Sequence, residues 1–447
     1  MLRDRNGRKL AIVQLLEVDE VAAWADDSNA ERIPFSLRFS HGEAKYDQVL
    51  TVESVQFGIP LDEARFAQPT RPAADYTFAS GQASVEIPFK VYNGHIYLPV
   101  KIDGKGPFLM LFDSGGANIL QPSVAKQLGL KVEGALGGSG VGENKQDVGM
   151  TKVGRIELGG IVVRDQVFAT LDLQDFATRV EGLDHVAGLV GYELFKRFPV
   201  KIDYQRSRAI FYNPGTFKYA GNGVRVPFRF KGHIPQVEGT VDGIAGAFDI
   251  DTGSRASIDL TGPFVDRNGL AEKYAAKHRV VSGAGVGGRV YSSLARAGAL
   301  TLGEVAVEKP VTYLSQQKQG AFADMYLAGN VGYGVLKQFN ITFDYQQQQL
   351  FFEKNANYGR PDVADRSGMW LERTRRGFEV VDVVAGGPAE EAGLRAGDVI
   401  VTIDGRPTSA WLLPDARTRL KASEGTRIRV SIERNKREVE LKLRDLV

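Results

Sequence analysis

Residues 107–120 read PFLMLFDSGGANIL. The apolar run Leu109 to Phe112 leads into Asp113, then a hydroxyl, then two glycines. Such a run reads as a strand buried on both faces. A carboxylate at the end of that strand is costly unless it is paired or hydrogen-bonded. The stretch therefore asks what accompanies Asp113.

An internal repeat supplies the answer. VEIPFKVYNGHIYLPVKIDGKGPFLMLFDSGG (85–116) is echoed by VRVPFRFKGHIPQVEGTVDGIAGAFDIDTGS (224–254), with Gly94/Gly232 and Asp113/Asp251 both 138 positions apart. GLVGYELFKRFPVKIDYQRSRAIFY (188–212) is matched 141 positions on by GNVGYGVLKQFNITFDYQQQQLFFE (329–353). Between them SGVGE (139–143) corresponds to AGVGG (284–288), and RIELGG to ALTLGE. Four landmarks in one order define a duplicated domain.

Each copy alternates apolar and polar residues between DG, NG and GG turns, so each is expected to be mostly strand. Short helices are expected at PSVAKQLGL and PFVDRNGLAEKYAA, and after each Gly-Tyr at ELFKRF and GVLKQF. The QQQQ at 346–349 aligns with QRSR and reads as a turn and sheet edge. The expected organisation is an N-terminal β segment at 1–73 (a remnant of a larger domain), repeat lobes at 74–214 and 215–357, a linker at 358–370, and a further domain at 371–447.

Composition narrows the chemistry. The chain has 447 residues, 43% hydrophobic and 25% charged, enough for several cores. A net charge of +2 gives no case for a nucleic-acid partner. With no cysteine there are no disulfides, no thiolate catalysis and no cysteine zinc sites. The five histidines show no metal-ligand spacing, so neither metal nor other cofactor is expected. No apolar stretch reaches the length of a membrane span, and the N-terminus lacks the pattern of a signal peptide.

Asp113-Ser114-Gly115 and Asp251-Thr252-Gly253 occupy equivalent places, each between an apolar strand and a helix. One such tripeptide arises by chance a few tenths of a time in this chain; two in register do not. Brought together, two carboxyls about 3 Å apart cannot both ionise and share a proton. One then acts as general base on a water while its protonated partner polarises a carbonyl. Gly115 and Gly253 suit a close approach of the two backbones. The hydroxyls of Ser114 and Thr252 can hydrogen-bond across the interface.

Residues 80–355 resemble two fused copies of the retroviral-type aspartic protease fold, the bilobal arrangement of pepsin-like enzymes. The family's second landmark, two apolar residues and a glycine, stands as Leu189-Val190-Gly191 and, with a polar first position, Asn330-Val331-Gly332. The resemblance implies a mainly β fold, peptide-bond hydrolysis by Asp113 and Asp251 on polypeptide substrates, and a dyad complete within one chain, so that dimerisation is not required. It implies support of the active-site loops by Ser114, Gly115, Thr252, Gly253 and Ser254. It also implies glycine-rich flaps at 136–144 and 282–290, through Gly138, Ser139, Gly140, Gly142, Gly283, Gly285 and Gly287. Plain hairpin turns are the simpler reading of those flaps. Gly116 stands where the second copy has Ser254, which removes one expected hydrogen bond to an outer carboxylate oxygen. Bacterial proteins of this architecture are commonly periplasmic or in the cell envelope.

GFEVVDVVAGGPAEEAGLRAGDVIVTIDGRP (377–407) resembles a bacterial PDZ domain, with the likeness extending to Val447. Such domains add a C-terminal or extended peptide as a strand. The resemblance places the carboxylate-binding amides at Arg376, Gly377 and Phe378, the receiving edge at Glu379–Val381, with Val380 at its centre, and the groove helix at 413–423. A different chemistry is conceivable from the order His95, Asp113, Ser139, that of a serine-protease triad, but His95 is repeated as His233 in GHI and Ser139 lacks a nucleophile turn. A further alternative is a silent peptide-binding protein that uses the inter-lobe cleft and the PDZ groove.

Overall fold

The computed structural model describes residues 74–447 except positions 80, 139, 141, 145, 174–185 and 436, together with the backbone of residues 2–3, 9–11, 20–26, 32–39 and 48–51. The chain divides into two units, Met1–Ala73 and Ala74–Val447. In the first, Glu20–Asp26, Arg32–Phe39 and Gln48–Thr51 form an antiparallel three-stranded sheet, and Leu2–Arg3 pairs with Lys9–Ala11.

The second unit is mainly β. The first repeat forms a nine-stranded sheet, the second a ten-stranded one, with the same central order. Around Asp113, Ile119–Leu120, Val186–Val190, Lys105–Phe112 and His95–Ile102 lie side by side. Around Asp251 the equivalents are Ile258–Leu260, Leu327–Val331, Ile244–Ile250 and Ile234–Val241. In each repeat the strand entering the aspartate runs parallel to the strand of the second landmark. Alternation explains why the runs are apolar on both faces. Met110, Phe112, Leu120 and Val190, with Phe248, Ile250, Leu260 and Val331, point into one continuous core. Leu111 and Leu189 point the other way, into a separate apolar cluster with Tyr92, Tyr97, Leu171 and Leu173. Each such buried Leu or Phe contributes roughly 1.5–3 kcal/mol.

The helices fall where expected. Pro122–Leu128 starts with proline and ends at Gly129, whose φ of 75° suits a residue without Cβ. Gly262–Arg267 is capped by Thr261, whose hydroxyl accepts from Phe264 N at 3.4 Å. Short helices follow each Gly-Tyr at Tyr192–Phe195 and Tyr333–Leu336.

The two repeats are joined by a third, six-stranded sheet, ordered Val224–Pro227, Gln349–Lys354, Phe339–Asp344, Val200–Asp203, Arg208–Tyr212 and Ser84–Pro88. Val200 faces Phe343 and Ile202 faces Ile341 across the junction. The glutamine run is a turn, with Gln348 at φ 52°. Its hairpin is not an edge, however: Phe339–Asp344 lies in the interior of this sheet, because its alternate residues Ile341 and Phe343 are buried at the junction.

The C-terminal sheet runs Met369–Arg373, Phe378–Val383, Val399–Ile403, Arg427–Ile432, Glu438–Lys442, with Arg406–Pro407 paired to Val399–Ile403. Its own core includes Leu371, Phe378, Val380, Ile400, Leu420, Val430 and Leu441. The stretch expected as a linker is therefore part structure. Its last two residues open a strand, and Asp362 accepts hydrogen bonds from Val311 N at 2.8 Å and from the Ser257 hydroxyl.

Candidate active site

Asp113 and Asp251 each follow the last residue of their strand, and each is fixed by the strand beside it. Asp113 N donates to Val190 O at 3.1 Å and Asp251 N to Val331 O at 3.0 Å. One carboxylate oxygen of each accepts from the glycine two residues on: Gly115 N to Asp113 Oδ1 and Gly253 N to Asp251 Oδ1, both at 2.7 Å. The loops are then tied to each other. Ser114 N donates to Thr252 Oγ1 at 2.9 Å and Thr252 N to Ser114 Oγ at 3.0 Å. Each hydroxyl passes its own proton back across the boundary, Ser114 Oγ to Ile250 O at 3.0 Å and Thr252 Oγ1 to Phe112 O at 3.1 Å. Ser114 and Thr252 are almost wholly buried, so all four bonds are sheltered from water. The Tyr345 hydroxyl donates to Ser114 O at 2.8 Å.

Glycine is required by proximity here. A Cβ on Gly253 would lie 2.4 Å from Asp113 Cγ, and one on Gly191 would lie 2.0 Å from Asp113 O. Within this crowding the two carboxyls face one point: a Cβ on Gly115 would lie 3.4 Å from Asp113 Oδ1 and 3.6 Å from Asp251 Oδ1. Burial, and then the charge of Asp251, hold Asp113 well above the usual carboxylate range.

The halves are not equivalent. Asn330 Nδ2 donates to Asp251 Oδ2 at 2.9 Å, whereas the matching residue in the first repeat is Leu189. A Cβ on Gly116 would sit 2.7 Å from Leu189 Cδ2 and 2.8 Å from Asp113 Oδ2. The hydrogen bond expected from the Gly116/Ser254 position thus has a different donor: Asn330 serves Oδ2 of Asp251. Its polar character stood out in the motif, but its partner depended on the register.

The glycine-rich segments are hairpin tips that meet. Gly138 ends the strand Val132–Gly138, and Gly283 and Gly285 lie in Arg279–Gly285. Gly142 N donates to Val286 O at 2.9 Å and Asn144 N to Gly287 O at 3.1 Å. A Cβ on Gly142 would be 2.1 Å from Gly287 C, and one on Gly140 2.6 Å from Val286 Cβ. Val286 packs on the apolar cluster that contains Leu111 and Leu189. Ser139 lies outside the described residues.

His95 is buried, and its pKa is lowered to about 3, first by burial and then by Arg255 and Arg417; its hydrogen-bond partner is the Gly253 backbone. That is the setting of a structural histidine, which leaves the triad reading without its base. Among the described residues no group of three His, Asp or Glu side chains is placed to hold a metal ion, and no helix is long and apolar enough to cross a membrane.

In the C-terminal sheet the strand expected to receive a peptide is not an edge. Phe378–Val383, which holds Glu379 and Val380, pairs with Met369–Arg373 on one side and Val399–Ile403 on the other, so it is not an edge. The turn before it is committed too: Arg376 N donates to Thr374 Oγ1, Thr374 N to Gly377 O, and Phe378 pairs with Arg373. The edge is Met369–Arg373, beside the helix Leu413–Arg419. Arg417 of that helix donates to Leu371 O at 2.7 Å and to the Asn93 side chain of the first repeat. Trp370 lies between two guanidinium groups, Arg417 at 4.7 Å and Arg255 of the Asp251 loop at 4.2 Å from its ring centre.

Comparison with known proteins agrees with these two parts. Residues 98–194 match the family model of an aspartyl protease, and residues 379–434 that of a PDZ domain. The chain thus carries an aspartyl protease domain and a PDZ domain. A C-terminal processing peptidase, chloroplastic, from Tetradesmus obliquus is 42% identical over 124 residues, 27% of this chain and 25% of that protein, so the match spans about a quarter of the relative. Among solved structures, the aspartic proteinase from Irpex lacteus is 11% identical with a TM-score of 0.42, over 63% of this chain and 100% of that one.

Proposed function

We propose that the protein is an aspartic endopeptidase that hydrolyses peptide bonds with a water activated between Asp113 and Asp251. The observation that carries the reading is the pair itself: two half-buried carboxyls whose Oδ1 atoms both flank Gly115, on loops cross-tied by Ser114 and Thr252. Such a pair holds one proton over a wide pH range. The ionised member takes a proton from the water as it attacks the carbonyl carbon, and the protonated member donates to the carbonyl oxygen. Collapse of the tetrahedral intermediate returns a proton to the leaving amine. The meeting hairpin tips would close over the extended chain and exclude bulk water. The pair is built from one chain, so a second copy is not needed to complete it.

The PDZ domain would recruit or regulate polypeptide substrates by adding a peptide to the Met369–Arg373 edge. Cleavage of a denatured protein by wild type, Asp113→Asn and Asp251→Asn tests the catalytic reading. Each variant is expected to lose about 10²–10⁴-fold in kcat. Undiminished cleavage by both would overturn it, and binding without cleavage by wild type would favour a silent peptide receptor.

A further inference from the structure

The two walls beside the dyad have opposite chemistry. In the first repeat, Leu111 pairs with Leu189 and Leu189 with Ile119, so three apolar side chains form a row across adjacent strands. In the second, the same register places Asp249 beside Asn330 and Asn330 beside Asp259. Neighbours of each residue along the strand (Phe248, Ile250, Ile258, Leu260 and Val331) fill the main core, so Asp249, Asp259 and Asn330 point to the face away from it. That is the face on which Leu111 and Leu189 stand in the first repeat and on which the tip residue Val286 rests.

These polar residues are not explained by pairing. Asp249 and Asp259 are 6% and 5% exposed. Asp249 accepts from Gln236 Nε2 at 3.0 Å, and the Asp259 carboxyl, which faces the charges of Arg255 and Asp251, receives no hydrogen bond among the described residues. The nearby cations, Lys231 paired with Asp324 and Arg255 stacked on Trp370, act on these carboxyls through their charge and donate no hydrogen bond to them. Two shielded carboxyls without a dedicated cation reward a cationic side chain that enters beside them. An apolar side chain there would leave them unpaired, and an acidic one would be repelled.

We propose that the cleft selects by charge across the scissile bond, taking an apolar side chain against Leu111, Leu189 and Ile119 and a lysine or arginine side chain against Asp249 and Asp259. The inference rests on the peptidase reading above. Its test is a mixed peptide library digested with the full chain at neutral pH, with the cleaved bonds mapped by mass spectrometry. Bonds with an apolar residue on one side and Lys or Arg on the other are expected to be cut about tenfold faster than those with Leu in the basic position, and Glu there is expected to suppress cleavage. The variant Asp249→Asn/Asp259→Asn is expected to lose that preference, its rate on the Lys and Arg peptides falling to that on the Leu peptides. Cleavage by wild type without the charge preference, or a preference undiminished in a folded double variant, overturns the inference while leaving the peptidase reading intact. Undiminished cleavage by Asp113→Asn and Asp251→Asn would instead remove the reading on which it rests.

Discussion

Ser114 and Thr252 each use a backbone amide and a hydroxyl to grip the opposite loop, and neither group has water to fall back on. Ser114→Ala strips Thr252 N of its acceptor and Ile250 O of its donor, and is expected to cost about 1–3 kcal/mol in chemical denaturation. Adding Thr252→Val should cost less than the sum of the two single changes, since both remove one network. At this scale much was legible. Two Asp-Ser/Thr-Gly tripeptides in register within a duplication announce the pair and the role of its hydroxyls. Asn330 was visible only as a departure from an apolar pattern. Its bond to Asp251, and its place between Asp249 and Asp259, depend on strand register, which is a long-range property.

Hairpins and edges are where the pattern is ambiguous. The two glycine-rich tips are matched to each other because their backbones touch, with Gly142 against Gly287. Gly142→Val is expected to hold the tips apart and to reduce kcat/KM by roughly 10-fold or more, with little change in thermal stability; steady-state kinetics and a melting curve check both. The PDZ edge illustrates the opposite case. Both Met369–Arg373 and Phe378–Val383 carry strand-like residues, and the sequence does not say which has a neighbour on each side. Polar, Gly- and Pro-containing residues upstream read as a linker and hid the first strand. The glutamine run misled in the same way, since its alignment with QRSR at a hairpin turn read as an edge where the partner repeat supplies another strand.

For the whole molecule, the buried acids predict how stability responds to pH. Asp249 is raised to about 6 and Asp259 to about 7, both chiefly by burial, from an ordinary value of 3.8. Asp113 is raised for the same reason. The folded state therefore holds more protons than the unfolded state between these values. Stability is full below about pH 4 as far as these groups are concerned, and is lost as pH rises through 6 and 7. Denaturant unfolding at pH 5 and pH 8 should show the protein on the order of a few kcal/mol weaker at the higher pH, with a smaller difference in Asp249→Asn/Asp259→Asn.

The stack of Trp370 between Arg255 and Arg417 makes one object of two surfaces. Trp370 belongs to an end strand of the PDZ sheet, and Arg255 lies four residues after Asp251. A ligand that shifts this tryptophan when it joins the edge does work on the aspartate loop. By thermodynamic reciprocity, a chain seated in the cleft that shifts Arg255 changes the edge's affinity by the same factor.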